Sequence, residues 1–121
     1  DLHGFSTQPV IGEFDLILGT DHHKSVGDSI IDQEFADFMR ARNYRVYLPT
    51  QEEVDGERFT ASGSKRDDQI VPLVQEVMAA NLTDAISMQL EIAWHFRQAG
   101  AKEVGTKLAN NISEFIVNYV S

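Results

Sequence analysis

The sequence predicts an α/β layered domain, and three observations carry that prediction. Short apolar runs bounded by Gly, Pro or polar clusters occur at 14–20, 44–48 and 85–92. Segments with apolar residues every three or four positions lie between and after them, the alternation of strand and helix that builds a layered sheet. With 121 residues, 42% of them hydrophobic, the chain suits one compact core rather than two.

The elements follow in order. Phe14-Asp15-Leu16-Ile17-Leu18-Gly19-Thr20 reads as a buried strand closed by Gly19 at an edge of the sheet. His22 to Gly27 is a polar loop. From Asp28 to Asn43, Ile30, Ile31, Phe35, Phe38 and Met39 fall on one helical face, with Asp32, Glu34, Asp37 and Arg40 mostly on the other. Tyr44-Arg45-Val46-Tyr47-Leu48 is rich in strand formers and stopped by Pro49, so a second strand is expected there. Polar residues and glycines between Thr50 and Ser64 predict a long loop.

Ile70, Val71, Val74, Val77 and Met78 make a further helical stripe, with Asp67 or Asp68 as its cap and an end near Asn81. Ala85 to Ile92 is short and bounded, a central strand running into a turn or short helix that carries Trp94 and Phe96. Val104, Leu108, Ile112, Phe115, Ile116 and Tyr119 form the face of a long C-terminal helix. The aromatic residues at these spacings are expected in the core rather than on a base-stacking surface.

Composition excludes several classes of function. A net charge of −9 with only ten Lys and Arg disfavours a nucleic-acid partner, which requires a concentrated basic surface. No run of about 18 apolar residues is present, so no membrane span is expected. The chain contains no Cys, so any metal must be held by His, Asp or Glu. The chain begins at Asp1 without Met or a signal-type region, so it does not report on secretion; a cytoplasmic location is the expectation. Phosphate loops and a G-x-S-x-G nucleophile elbow are absent from the sequence.

Metal-assisted hydrolysis is the chemistry left with candidates. In Asp1-Leu2-His3-Gly4 an imidazole follows what reads as a strand end, and Gly4 leaves room beside the ring. The alternative for His3 is an ordinary surface group. Glu91, in Met88-Gln89-Leu90-Glu91-Ile92, is flanked by apolar residues, and a carboxylate buried there needs a partner or a function. Pattern alone leaves it divided between a structural carboxylate and a general base. His22 and His23 are adjacent and diverge in an extended segment, so one of them could line a site. Lys24, Arg58, Lys65 and Arg66 are candidate anchors for a substrate carboxylate, or else exposed charges.

Taken in order, D-L-H-G, F-D-L-I-L-G-T with its His-containing loop and Ser25, a helix, N-Y-R-V-Y-L-P and M-Q-L-E-I resemble the N-formylglutamate amidohydrolase family. The resemblance spans Asp1 to about Arg97. It implies a relative of the zinc carboxypeptidases and aminoacylase-type deacylases, with a mixed, largely parallel sheet flanked by helices. It further implies one zinc, His3 as a ligand to it, Glu91 as the catalytic base, and Asp1 orienting His3 from behind. The substrate implied is an N-acyl amino acid or peptide-like amide; His22, His23, Arg58 and Arg97 are the candidates expected to bind it. Where the family places an Arg three residues after the Glu, this chain has Trp94, with Arg97 one turn further on.

The family's first two metal ligands lie upstream of the segment matched here. Residues 1–121 are therefore expected to be the C-terminal part of one hydrolase domain, completed by a missing N-terminal segment or another copy, and inactive alone. The competing expectation is a noncatalytic α/β binding module that retains the fold.

Overall fold

The computed structural model describes residues 2–5, 14–20, 26, 29–56 and 88–120. It is a small α/β fold. Strands β1 (Leu2–Phe5), β2 (Leu16–Gly19), β3 (Val46–Tyr47) and β4 (Gln89–Ala93) form one sheet in the order β1-β4-β2-β3. Helix α1 (Ile31–Arg40) lies between β2 and β3, α2 (Gln51–Asp55) follows β3, and a 3₁₀ turn (Trp94–Phe96) leads from β4 towards α3 (Lys102–Val120). The helical stripe near 70–78 lies outside the described residues.

The sheet is mixed, and this corrects the expectation that it is largely parallel. β1 pairs β4 in parallel and β2 pairs β3 in parallel, but the central pairing, β2 with β4, is antiparallel. Two strands therefore run each way. The consequence is that the start of β2 lies beside the end of β4, where Ala93 N–H donates to the Asp15 carbonyl at 2.9 Å.

Register sorts the side chains of β2, β3 and β4 onto two faces, because successive strand residues point to opposite sides. Leu16 pairs with both Val46 and Ile92, and Leu18 pairs with Leu90. These residues meet Ile31, Phe35, Ala36 and Met39 of α1 and Leu108 and Phe115 of α3 in the main core. Phe115 anchors it, with Phe35 and Phe38 edge-on to its ring at centroid distances of 5.1 and 5.3 Å. Burying each such side chain stabilises the fold by roughly 1.5–3 kcal/mol. On the other face Ile17 and Ala93 form a separate small cluster with Tyr47 and Phe96.

Helix α1 is shorter than its apolar stripe. Ser29 Oγ accepts the Ile31 N–H at 3.0 Å, and Ile30, outside the helix, is exposed. At the other end Asn43 adopts φ 69°, and the Tyr44 and Asn43 N–H groups reach back to the Met39 and Arg40 carbonyls at 3.1 and 3.0 Å. That is a Schellman closure, in which Asn is one of the few residues to take the left-handed position. The strand expected at 44–48 accordingly shortens to Val46–Tyr47.

The stretch read as a loop from Thr50 opens instead with α2. Thr50 and Glu53 form a capping box: the Glu53 N–H donates to Thr50 Oγ1 at 3.2 Å, and the Thr50 N–H donates to Glu53 Oε1 at 3.0 Å. The polar composition masked this T-x-x-E signal.

Helix α3 keeps the expected face only in its middle. Leu108 and Phe115 are buried and Ile112 packs against them, but Val104, Ile116 and Tyr119 are exposed. Its first turn crosses the 3₁₀ turn closely enough that a Cβ on Gly105 would stand 2.9 Å from the Phe96 carbonyl oxygen. Trp94, expected in the core, is 56% exposed, with the Arg97 guanidinium 5.2 Å from its ring centroid. Among the described residues no helix is long and apolar enough to cross a membrane.

Candidate functional site

The parallel pairing of β1 with β4 sets His3 directly beside Glu91. Two residues from opposite ends of the chain thus share one rung of the sheet. The next positions on that rung are Ile17, paired with Glu91 across the antiparallel seam, and Tyr47, paired with Ile17. Glu91 is half-buried, while its β4 neighbour Leu90 is buried on the opposite, helix-covered face. The local reason is the alternation of β4: Leu90 and Ile92 go to the apolar core, which leaves Gln89, Glu91 and Ala93 on the other face.

One step along that face lies an ionic cluster that the sequence reading did not single out. Asp15, 5% exposed, precedes β2. Arg45, which precedes β3, donates to it three times: Nη2 to Oδ1 at 2.8 Å, Nε to Oδ2 at 3.3 Å and the backbone N–H to Oδ2 at 2.7 Å. His95, in the 3₁₀ turn after β4, places Nε2 3.1 Å from Asp15 Oδ1. The topology explains the meeting, since the antiparallel seam brings the start of β2 to the end of β4 and the parallel seam brings it to the start of β3.

Burial pushes the Asp15 carboxyl up, but the hydrogen bonds from the Arg45 side chain and backbone, with the Arg45 and His95 charges, outweigh it and hold Asp15 below the usual carboxylate range. Asp15 is thus an anion at neutral pH. Its side chain is fixed by Arg45, and it in turn fixes His95, whose imidazole is half-exposed and lies against the Phe96 ring at a centroid distance of 4.1 Å. A signal for this cluster existed in the sequence. An Asp at the head of the apolar run Leu16-Ile17-Leu18 needs a buried partner.

Further along the same face, Gln89 is 2% exposed and its Oε1 has no hydrogen-bond partner among the described residues. At the β3 edge the Tyr47 hydroxyl donates to Glu53 Oε1, tying α2 to the rung.

The remaining predicted residues fall elsewhere. Asp1, His22, His23, Lys24, Arg58, Lys65 and Arg66 lie outside the described residues. Arg97 donates from Nε to the Ile92 carbonyl at 3.0 Å. It lines a groove of about 460 Å³ with Ile92, Phe96, Leu108, Ile112 and Ile116, on the side of the sheet where α3 packs. Among the described residues no group of three or more His, Asp or Glu could hold a metal ion. The described residues alone are therefore not a complete zinc ligand set.

Comparison with family models, characterised proteins and solved structures finds no match to the chain.

Proposed function

We propose that this chain is the catalytic-base part of a zinc-dependent amide hydrolase of N-formylglutamate amidohydrolase type, acting on an N-acyl amino acid or peptide-like amide. The observation that carries the reading is the shared rung of His3 and Glu91. In the resemblance these are a metal ligand and the general base, and a base must stand beside the metal whose water it deprotonates.

On this reading Glu91, half-buried on the sheet, takes the proton of the attacking water. His3 would contribute one ligand to the metal. The chemistry zinc supplies in such a site is polarisation of the amide carbonyl and a lowered pKa for bound water. The finer assignment to the zinc-exopeptidase fold belongs to the same proposal.

The test uses the intact protein and a panel of N-acyl amino acids that includes N-formylglutamate. Hydrolysis that a chelator abolishes and added zinc restores is the expected result. An intact, folded protein that hydrolyses none of the panel would instead point to a noncatalytic α/β binding module.

A further inference from the structure

We propose that the trough beside α3 is a binding site for a free fatty acid, with the acyl chain over Ile92, Ile112 and Ile116 and the carboxylate between Arg97 and Lys102. The trough lies on the side of the sheet where α3 packs, whereas Glu91 lies on the other, so the inference stands apart from the hydrolase reading.

Two hollows adjoin along α3. One, of about 460 Å³, is walled by Ile92, Leu108, Ile112 and Ile116. The other, of about 490 Å³, is walled by Gln98, Gly100, Lys102 and Thr106. Phe96, Arg97, Gly105 and Ala109 belong to both, so the hollows run into each other. Gly105 and Ala109 stand one turn apart on the same face of α3, and their small size keeps the passage between the hollows open. From Lys102 to Ile116 the trough follows about 21 Å of helix. Each hollow falls within the range of about 300–1,000 Å³ usual for small-molecule sites.

The two ends differ in chemistry. The Ile112–Ile116 end is apolar and gains from burying a hydrocarbon chain. The other end carries cations. Arg97 Nε donates to the Ile92 carbonyl at 3.0 Å, which ties the guanidinium to the wall where the hollows meet, and Lys102 is exposed at the start of α3. Among the described residues neither hollow is walled by an acidic group, in a chain with 19 Asp and Glu against 10 Lys and Arg. A trough that gathers cations and excludes carboxylates in so acidic a chain is complementary to an anion. The molecule that matches both ends has one negative head and one apolar tail. A carboxylate head would accept charge-assisted hydrogen bonds from Arg97 and Lys102. An alcohol of the same length would leave the cationic end unused, and a cationic amphiphile would be repelled by it.

Trp94 supplies the reporter. It is the sole Trp of the chain, it is 56% exposed, and the Arg97 guanidinium lies 5.2 Å from its ring centroid. Dodecanoate is titrated into the intact protein and followed by Trp94 emission and by calorimetry, with dodecanol and dodecyl phosphate as comparators. The expected result is saturable one-to-one binding of dodecanoate that shifts the Trp94 emission, with dodecanol at least about tenfold weaker. The double variant Arg97→Gln, Lys102→Gln should weaken dodecanoate about tenfold and leave dodecanol unchanged. Ala109→Phe, which blocks the passage between the hollows, should abolish binding of dodecanoate. If its melting curve shows that Ala109→Phe does not fold, the double variant decides alone. Equal affinity for dodecanoate and dodecanol, preference for dodecyl phosphate, wild-type affinity in the double variant or no saturable binding overturns the site. Self-association through α3 that dodecanoate does not disturb overturns it as well. Dodecanoate is read without hydrolysis, so a protein that binds it but hydrolyses no N-acyl amino acid contradicts only the hydrolase reading.

Discussion

On one face of the sheet Leu16, Leu18, Val46, Leu90 and Ile92 stand in register beneath α1 and α3. On the other face the same three strands and their flanks carry Asp15, Arg45, Tyr47, Gln89 and Glu91 around a small apolar cluster of Ile17 and Ala93. The backbone is shared, so the difference lies in the side chains alone. The first face gains stability from non-directional apolar burial. The second holds polar groups whose burial costs free energy unless each is paired or used. On the proposed reading, the face that carries this cost is the one that holds Glu91.

That comparison can be broken at several points. The largest stability effect should come from the apolar face: Phe115→Ala removes the ring that Phe35 and Phe38 pack against, at an expected cost of about 3–5 kcal/mol in denaturant unfolding. A loss below 1 kcal/mol would mean that α3 is not part of the core. Asp15→Ala should cost less, about 2 kcal/mol, because the hydrogen bonds lost are charge-assisted but the Arg45 left behind is half-exposed.

The same carboxylate gives a pH dependence of defined sign. The folded state holds the Asp15 pKa below its ordinary value of 3.8, so the unfolded chain binds the proton first. Its contribution is complete above about 3.8 and is lost as pH falls through the lower folded value. Unfolding midpoints measured down through the acid range should therefore decline less steeply in Asp15→Asn than in the wild type.

Smaller effects test the joints between elements. Gly105→Ala gains helix propensity but drives a Cβ to 2.9 Å from the Phe96 carbonyl, and a net loss of about 1 kcal/mol is expected. An increase in stability would show that the 3₁₀ turn yields freely. Thr50→Ala removes half of the capping box and should also cost about 1 kcal/mol, read as a lowered melting temperature.

The sequence made the apolar face legible and left most of the polar face hidden. Leu16-Ile17-Leu18 followed by Gly19, and the stripe of Phe35 and Met39, are local patterns, and local patterns decide which residues enter a core. Strand direction is not local. The antiparallel seam between β2 and β4 was not legible, and without it nothing joins Asp15 to His95. Glu91 and His3 stood out by their local surroundings, and the family resemblance supplied the roles expected of them. Their shared rung is a long-range pairing that no window of sequence contains. Thr50 and Glu53 were missed for the opposite reason, since a four-residue signal was present but was outweighed by the polar composition around it.

The central claim is that the two faces divide stability from chemistry, and Glu91→Gln in the intact protein tests it most directly when melting temperature and amide turnover are measured on the same sample. The account predicts turnover reduced by orders of magnitude with metal content kept and the melting temperature unchanged or raised. Retained turnover with a lowered melting temperature would make Glu91 a structural carboxylate and contradict the account.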